Sequence, residues 1–208
     1  MIQQKETERV REIYEATAPD YDKGIAFSEK LLFGDGRSWA CSQARGQVLE
    51  IAVGTGRNLP FYSDDVEITG IEISPAMLAI ARQRAQNLGR QVELVLGDAQ
   101  ALPFPDQRFD TIVCTLSLCS IPDERQAIAE VWRVLCPGGC FIALEHVRSP
   151  NPLIRGIERL LDSYTVRVQA DHLLREPVEV VQAAGFQIDY LKRQKWGIVE
   201  RLIARKAS

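Results

Sequence analysis

The sequence predicts an α/β fold: a doubly wound, mainly parallel sheet with helices on both faces. Short apolar runs alternate with stretches of helical periodicity along most of the chain. Three successive runs, Val48–Ile51, Ile68–Ile73 and Val92–Leu96, each carry an acidic residue at their ends (Glu50, Glu72 and Asp98), and Gly54 and Gly56 follow the first. Acidic groups at the carboxyl ends of neighbouring strands, beside a glycine turn, suit a nucleotide-sized ligand lying across the sheet edge. A length of 208 residues supports a single domain, 1–208, with a full core.

Taken in order, Glu6–Ala16 is a helix with Val10, Ile13 and Tyr14 on one face. Gln47–Ile51 is the first strand, and Gly54–Gly56 turns it into a short helix near Asn58–Tyr62. Glu67–Ile73 is the second strand. Ser74 and Pro75 then start a helix, the serine as cap and the proline at the first helical position. Its apolar face is Met77, Ile80, Ala81 and Leu88, and Gly89 ends it. Gln91–Leu96 and Phe109–Thr115 are strands separated by a loop, Gln100–Gln107, with two prolines. Glu124–Leu135 carries Ile128, Val131, Trp132 and Leu135 at helical spacing. Pro137-Gly138-Gly139 stops that helix and feeds a fifth strand, Cys140–Glu145. Pro152–Val168, with Ile154, Ile157, Leu160, Leu161 and Tyr164, is a helix outside the repeat. Pro177–Ala184 is a further helix closed by Gly185. Phe186–Arg193 and Ile198–Ala204 have only Trp196-Gly197 between them, which predicts an antiparallel hairpin at the sheet edge. Segments 1–46 and 150–176 flank the expected ligand mouth, and both are expected to be helical lids that exclude water.

Hydrophobic content of 46% and charged content of 25% are those of an ordinary globule. A net charge of −3 argues against nucleic acid as a partner. The first twelve residues are polar, and no apolar run reaches the ~18 residues of a membrane span. A cytoplasmic location without a transmembrane segment is therefore expected. Five cysteines (Cys41, Cys114, Cys119, Cys136 and Cys140) lack metal-ligand spacing, so no metal site is expected. Oligomeric state leaves no mark in the sequence.

The nature of the ligand turns on Glu50. A dinucleotide fingerprint would place a third glycine at position 59, where this chain has Leu59. It would also set a pyrophosphate against the turn after the first strand, where Glu50 repels phosphate. The same carboxylate suits a ligand carrying an ammonium and a sulfonium but no phosphate, and S-adenosylmethionine is that ligand. On this reading Gly54 and Gly56 let the backbone approach the ligand closely. Glu72 accepts hydrogen bonds from the ribose hydroxyls and Asp98 from the adenine amino group, while Ile73 and Met77 sandwich the ring. The backbone of Thr115 meets the methionine end. Any one of the three acids alone would pass for a solvated strand terminus; the signal is their order.

Val48–Asn58 resembles the first motif of class I methyltransferases, and Gly70–Leu78 resembles the next. Gly97-Asp98-Ala99 with Leu102-Pro103-Phe104, then Phe109-Asp110 and Arg133–Gly139, complete the pattern of the subgroup that includes ubiquinone and menaquinone methyltransferases. Tyr21-Asp22 resembles that subgroup's N-terminal pair, whose tyrosine folds over the donor. The resemblance runs from about Tyr14 to about Ala204. It implies a Rossmann-like, seven-stranded methyltransferase fold, S-adenosylmethionine as cofactor, and Asn58 and Ala99 within donor-binding motifs. Ala52 departs from the family, which usually has glycine there, and its methyl is expected to crowd the methionine end. Val113–Ser120 and Glu145-His146-Val147 further resemble alkyl-thiol methyltransferases, whose apolar N-terminal membrane segment this sequence does not show. Bacterial phosphatidylethanolamine N-methyltransferases are another similar group.

Methyl transfer asks the protein mainly to hold acceptor, methyl and sulfur in line. Leu116, Leu118 and Ile121 are expected to line an apolar acceptor side. The only histidines, His146 and His172, fall in segments that the topology brings to the acceptor mouth. With an unperturbed pKa of about 6.5, either can take a proton from a thiol, hydroxyl or ammonium, and both are candidate catalytic residues. The bland alternatives are a structural His146 and an exposed His172 beside Asp171. The expected acceptor is a lipophilic small molecule or a lipid: a thiol, an amine or phospholipid headgroup, or a ring or phenol. In the phospholipid case Arg155, Arg159 and Arg167 would lie near an anionic membrane surface. Two other classes were weighed. A nicotinamide oxidoreductase is disfavoured by Leu59 and Glu50, and a non-catalytic S-adenosylmethionine-binding module by the intact donor motif. The acceptor atom is not encoded in the scaffold, because the acceptor pocket varies freely on it.

Overall fold

The computed structural model describes residues 2–207; Met1 and Ser208, the ends of the expected domain, lie outside the described residues. Seven strands form one sheet: β1 (Gln47–Ile51), β2 (Glu67–Glu72), β3 (Val92–Leu96), β4 (Phe109–Thr115), β5 (Leu135–His146), β6 (Gln187–Gln194) and β7 (Val199–Arg205). Their order is β3-β2-β1-β4-β5-β7-β6. Strands β1 to β5 pair in parallel, and β7 runs antiparallel between β5 and β6. The order reverses between β1 and β4, and in such sheets that switch point is where ligands bind.

Both faces of the sheet are covered, which is why the strands read as nearly continuous apolar runs. Adjacent residues alternate between two cores. Leu49, Ile112 and Phe141 enter one, and Val48, Val113 and Ile142 enter the other. The first core receives α5 (Glu124–Val134) and α7 (Pro177–Ala183). The second receives α3 (Gly36–Ser42) through Ala40 and Cys41, and α4 (Pro75–Asn87) through Ala85. Three further helices complete the molecule: α1 (Ile2–Thr17), α2 (Tyr21–Leu32) and α6 (Pro152–Gln169). Among the described residues no helix is long and apolar enough to cross a membrane.

Several local expectations need correction. Within segment 1–46, expected to be helical, the bounds of α2 and α3 were not anticipated: no residue of α2 is buried, so it has no inward apolar stripe, and α3 has only seven residues. The helix expected near Asn58–Tyr62 is a single 3-10 turn, Leu59–Phe61. In α4 the buried residues are Met77, Leu78, Ala81 and Ala85, whereas Leu88 is exposed. Leu88 is the C-cap, and Gly89 beyond it takes a left-handed φ of 64°, so the chain turns away before Leu88 reaches the core. Pro137-Gly138-Gly139 belongs to β5 as a bulge rather than preceding the strand. The register moves from Phe109↔Leu135 to Thr111↔Cys140, and Gly138 and Gly139 exchange backbone hydrogen bonds with Lys206. A Cβ on Gly139 would stand 2.9 Å from the carbonyl oxygens of Asp110 and Cys136, so the bulge requires glycine there.

Candidate active site

A cleft opens at the carboxyl edge of the sheet over the β1/β4 switch point, lined by the segments that follow β1, β2, β3 and β4. Glu72, at the end of β2, forms its back wall and is buried. One carboxylate oxygen accepts from the Gly54 amide at 3.0 Å and the other from the Ser74 amide at 2.9 Å. Burial raises its pKa, and those amides act in the opposite direction. Asp98 follows β3, and its Oδ1 accepts from the Gln100 amide at 2.9 Å. Ile73, Met77 and Ala99, from the segments that carry the two acids, add apolar surface to the cleft.

The N-terminus of α4 is fixed twice. Ser74 Oγ accepts from the Met77 amide at 3.2 Å, as its sequence position predicts. Glu15 of α1 then accepts from Ser74 Oγ at 2.6 Å and from the Ala76 amide at 3.0 Å. A carboxylate at a helix N-terminus also complements the helix dipole, so α1 is latched across the cleft. Tyr14 of α1 and Tyr21 of α2 meet edge-on inside the mouth with centroids 6.1 Å apart, and Tyr14 Oη lies 2.7 Å from Ser120 Oγ. Burial raises both phenols, Tyr21 to about 12, so both are neutral at physiological pH.

Behind the methionine-sized end lies a buried polar cluster. Arg37 of α3 donates to Asn58 Oδ1 and Thr115 Oγ1, both at 2.9 Å, and pairs with Glu29 at 2.8 Å. Burial works against the guanidinium charge, but the Glu29 pair outweighs it and raises the Arg37 pKa. Glu50 stands one layer deeper, 2% exposed, and accepts from Asn58 Nδ2 at 3.0 Å and from Tyr62 Oη at 2.8 Å. Burial raises its pKa to about 7.

The methyltransferase-domain family model matches residues 49–143. A demethylmenaquinone methyltransferase of Deinococcus radiodurans is 34% identical over 167 residues, covering 76% of this chain and 68% of that protein. The chain belongs to the S-adenosylmethionine-dependent methyltransferases. A ubiquinone/menaquinone biosynthesis C-methyltransferase of an Enterobacter species is 32% identical over 200 residues, covering 90% of this chain and 75% of that one. A phosphatidylethanolamine N-methyltransferase of Cereibacter sphaeroides is 32% identical over 163 residues, covering 72% and 80%. A solved S-adenosylmethionine-dependent methyltransferase of Thermotoga maritima shares the fold, with a TM-score of 0.72, 21% identity and coverage of 95% of this chain and 99% of that one.

S-adenosylmethionine is the enzyme's methyl donor, and the residues of the cleft fit it. Glu72 and Asp98 present acceptors to hydroxyl and amino groups, Ile73, Met77 and Ala99 add apolar surface, and the Arg37 cation faces the end where a carboxylate would lie. Tyr21, Gly54, Glu72, Ile73, Met77, Asp98, Ala99 and Thr115 all line the methyltransferase cleft. Glu50, Gly56 and Asn58 do not. Gly56 serves packing instead: a Cβ there would meet Leu59 Cδ1 at 2.9 Å and the Ala81 backbone at 3.3 Å.

Neither histidine lines the cleft. His146 is largely buried with no partner for Nδ1; burial lowers its pKa, while Asp171 and Glu158 pull the other way. The His172 amide donates to the Cys119 carbonyl, and burial, then Arg175, lowers the imidazole pKa. Of the residues expected on the acceptor side, Leu116 and Ile121 line the cleft, whereas Leu118 is fully buried in the core. Sequence reasoning missed Arg37, Arg57, Gln100, Ser117 and Ser120 as lining residues, and it read Val10 and Tyr14 only as a helix face. Of these Arg57, Ser117 and Ser120 carried a signal, since Arg57 falls within the motif after β1 and the two serines within the motif after β4. Ala52 and Leu116 also line the cleft with left-handed φ values of 50° and 56°. Non-glycine residues held there store strain of the kind that gathers at functional sites.

Proposed function

We propose that this enzyme methylates a small lipophilic acceptor that enters beside Tyr14, Ser117, Ser120, Ile121 and Pro122. The observation that carries this reading is the division of charge in the cleft. Its charged lining residues, Arg37, Arg57, Glu72 and Asp98, belong to the donor end, and the acceptor side offers apolar surface and hydroxyls. When bound, S-adenosylmethionine supplies an electrophilic methyl group on a sulfonium. The chain's own residues then do the holding. Glu72 takes the ribose hydroxyls, Asp98 the adenine amino group, and Ile73 and Met77 the faces of the ring. Gly54 gives close backbone approach, Arg37 takes the carboxylate, and Thr115 borders the methionine end. Tyr21 closes over the donor and excludes water. Glu50 and Asn58 act from behind by orienting Arg37 and Thr115, and Gly56 by bringing α4 close. Holding the reactants in line is the main contribution, worth several kcal/mol where geometry is achieved.

Burial lowers the pKa of both His146 and His172, which favours the neutral imidazoles at physiological pH, and neither histidine lines the cleft. A second reading, a phospholipid amine as acceptor, is favoured by the similarity to the Cereibacter sphaeroides enzyme. Mass spectrometry of products from thiols, phenols, quinols, amines and phosphatidylethanolamine separates the acceptors. The expected product is a methylated lipophilic molecule, and turnover confined to small polar amines would refute the reading. In the same assay His146→Ala and His172→Ala are expected to slow turnover less than about tenfold. A loss of about 100-fold or more, with a changed pH profile between 6 and 9, would make the histidine a general base.

A further inference from the structure

The helix α6 is amphipathic in the inverted sense. Leu153, Ile157, Leu160, Leu161, Tyr164 and Val168 are all exposed, Leu153 and Leu160 by more than 80%. At 3.6 residues per turn these six fall within about 100° of arc. They do not line the cleft, so the stripe expected to form a lid faces outward. Other large exposed side chains join it at the same edge of the sheet. Trp196 is 71% exposed in the β6–β7 turn beside Ser149 and Pro150, just before α6. Phe27 and Leu31 are exposed on α2, the helix that begins with Tyr21 at the cleft mouth. An apolar surface of this kind on one rim marks an interaction site.

Charge identifies the occupant. Every acid on α6 is turned inward: Glu158 is buried and accepts from the Ser149 amide, and Asp162 accepts from the Leu173 amide. The acids of α2 are likewise consumed, Asp22 by Arg57 and Arg84 and Glu29 by Arg37 and Arg57. Arg167, which flanks the stripe, forms no ion pair among the described residues, and neither do the exposed Lys30 and Lys195 near Leu31 and Trp196, whereas Arg155 and Arg159 lie on the other side of α6 and Arg155 donates to the Pro150 carbonyl. The rim is therefore apolar and basic on a chain whose net charge is −3. Arg167 borders the stripe at helical spacing, Tyr164 lies near its centre, and Lys195 adjoins Trp196, which matches the chemistry of a bilayer interface with anionic headgroups.

We infer that the α6 face, with Trp196, Phe27 and Leu31, seats the enzyme on an anionic lipid surface and turns the cleft mouth towards the bilayer. The inference draws its purpose from the lipophilic-acceptor reading, but it is tested without turnover, so either can fail alone. Full-length protein is sedimented with vesicles of phosphatidylglycerol and phosphatidylethanolamine, and with vesicles of phosphatidylcholine. Binding to the anionic vesicles, weakened by salt, is expected. Paired Ile157→Asp and Leu160→Asp substitutions should abolish it. Paired Arg167→Glu and Lys195→Glu substitutions should weaken it by about fivefold per removed cation or more. Neither pair lines the cleft, so donor binding and melting temperature are expected to stay unchanged and serve as the control for folding. Sedimentation velocity on the same samples examines the rival occupant. No binding by the wild type, or a wild-type dimer that the aspartate pair converts to monomer, overturns the proposal.

Discussion

Glu50 shows how a single buried carboxyl shapes this site without touching the cleft. Its folded pKa is raised to about 7 by burial, against about 4.3 for an exposed glutamate. The folded state therefore binds its proton more tightly than the unfolded chain does. Stability is highest below the unfolded pKa, is lost as pH rises through about 7, and is level above that. A Glu50→Gln chain can keep the contacts to Asn58 and Tyr62 while removing the ionisation. Urea unfolding at pH 5 and pH 8 is expected to show the variant gaining on the wild type at the higher pH, by at most about 3 kcal/mol. Equal destabilisation at both pH values would mean that Glu50 is held ionised by Arg37. The position was readable from sequence because an acid in an apolar strand is conspicuous. Its partners were not, since Asn58, Tyr62 and Arg37 converge only in three dimensions.

The turn after β1 holds Ala52, the residue that the resemblance marks as a departure from the family's glycine. Ala52 adopts φ 50° there, and a left-handed conformation costs a non-glycine residue about 1–2 kcal/mol. Glycine would remove that strain but add about 0.5–1 kcal/mol of chain entropy. Ala52→Gly is thus expected to raise stability by up to about 1 kcal/mol, read as a higher melting temperature. A lower melting temperature would show that the alanine methyl is worth more in packing than the strain it causes. Elements with a one-sided apolar pattern, such as α5, could be read from sequence nearly to the residue. The first two turns of α2 and all of α3 could not, because their determinants are ion pairs and Arg37 contacts rather than periodicity. The helix α6 was legible as an amphipathic helix, but amphipathicity alone does not say whether the apolar face meets protein or bilayer.

At the scale of the whole molecule, the alternation of strands and helices and the order of Glu50, Glu72 and Asp98 located the ligand edge before any coordinates. The acceptor side was less visible, because Tyr14, Ser117, Ser120 and Ile121 are gathered from α1 and the segment after β4. The central claim is that Glu72 anchors a phosphate-free adenosyl donor at the β1/β4 switch point. The most direct measurement is calorimetric titration of S-adenosylmethionine into the wild type and into Glu72→Gln, with circular dichroism confirming that both are folded. The wild type should bind the donor, and the variant should bind it about 10–100-fold more weakly, the range for a hydrogen bond to a charged group. Equal affinities in the two proteins would contradict the claim.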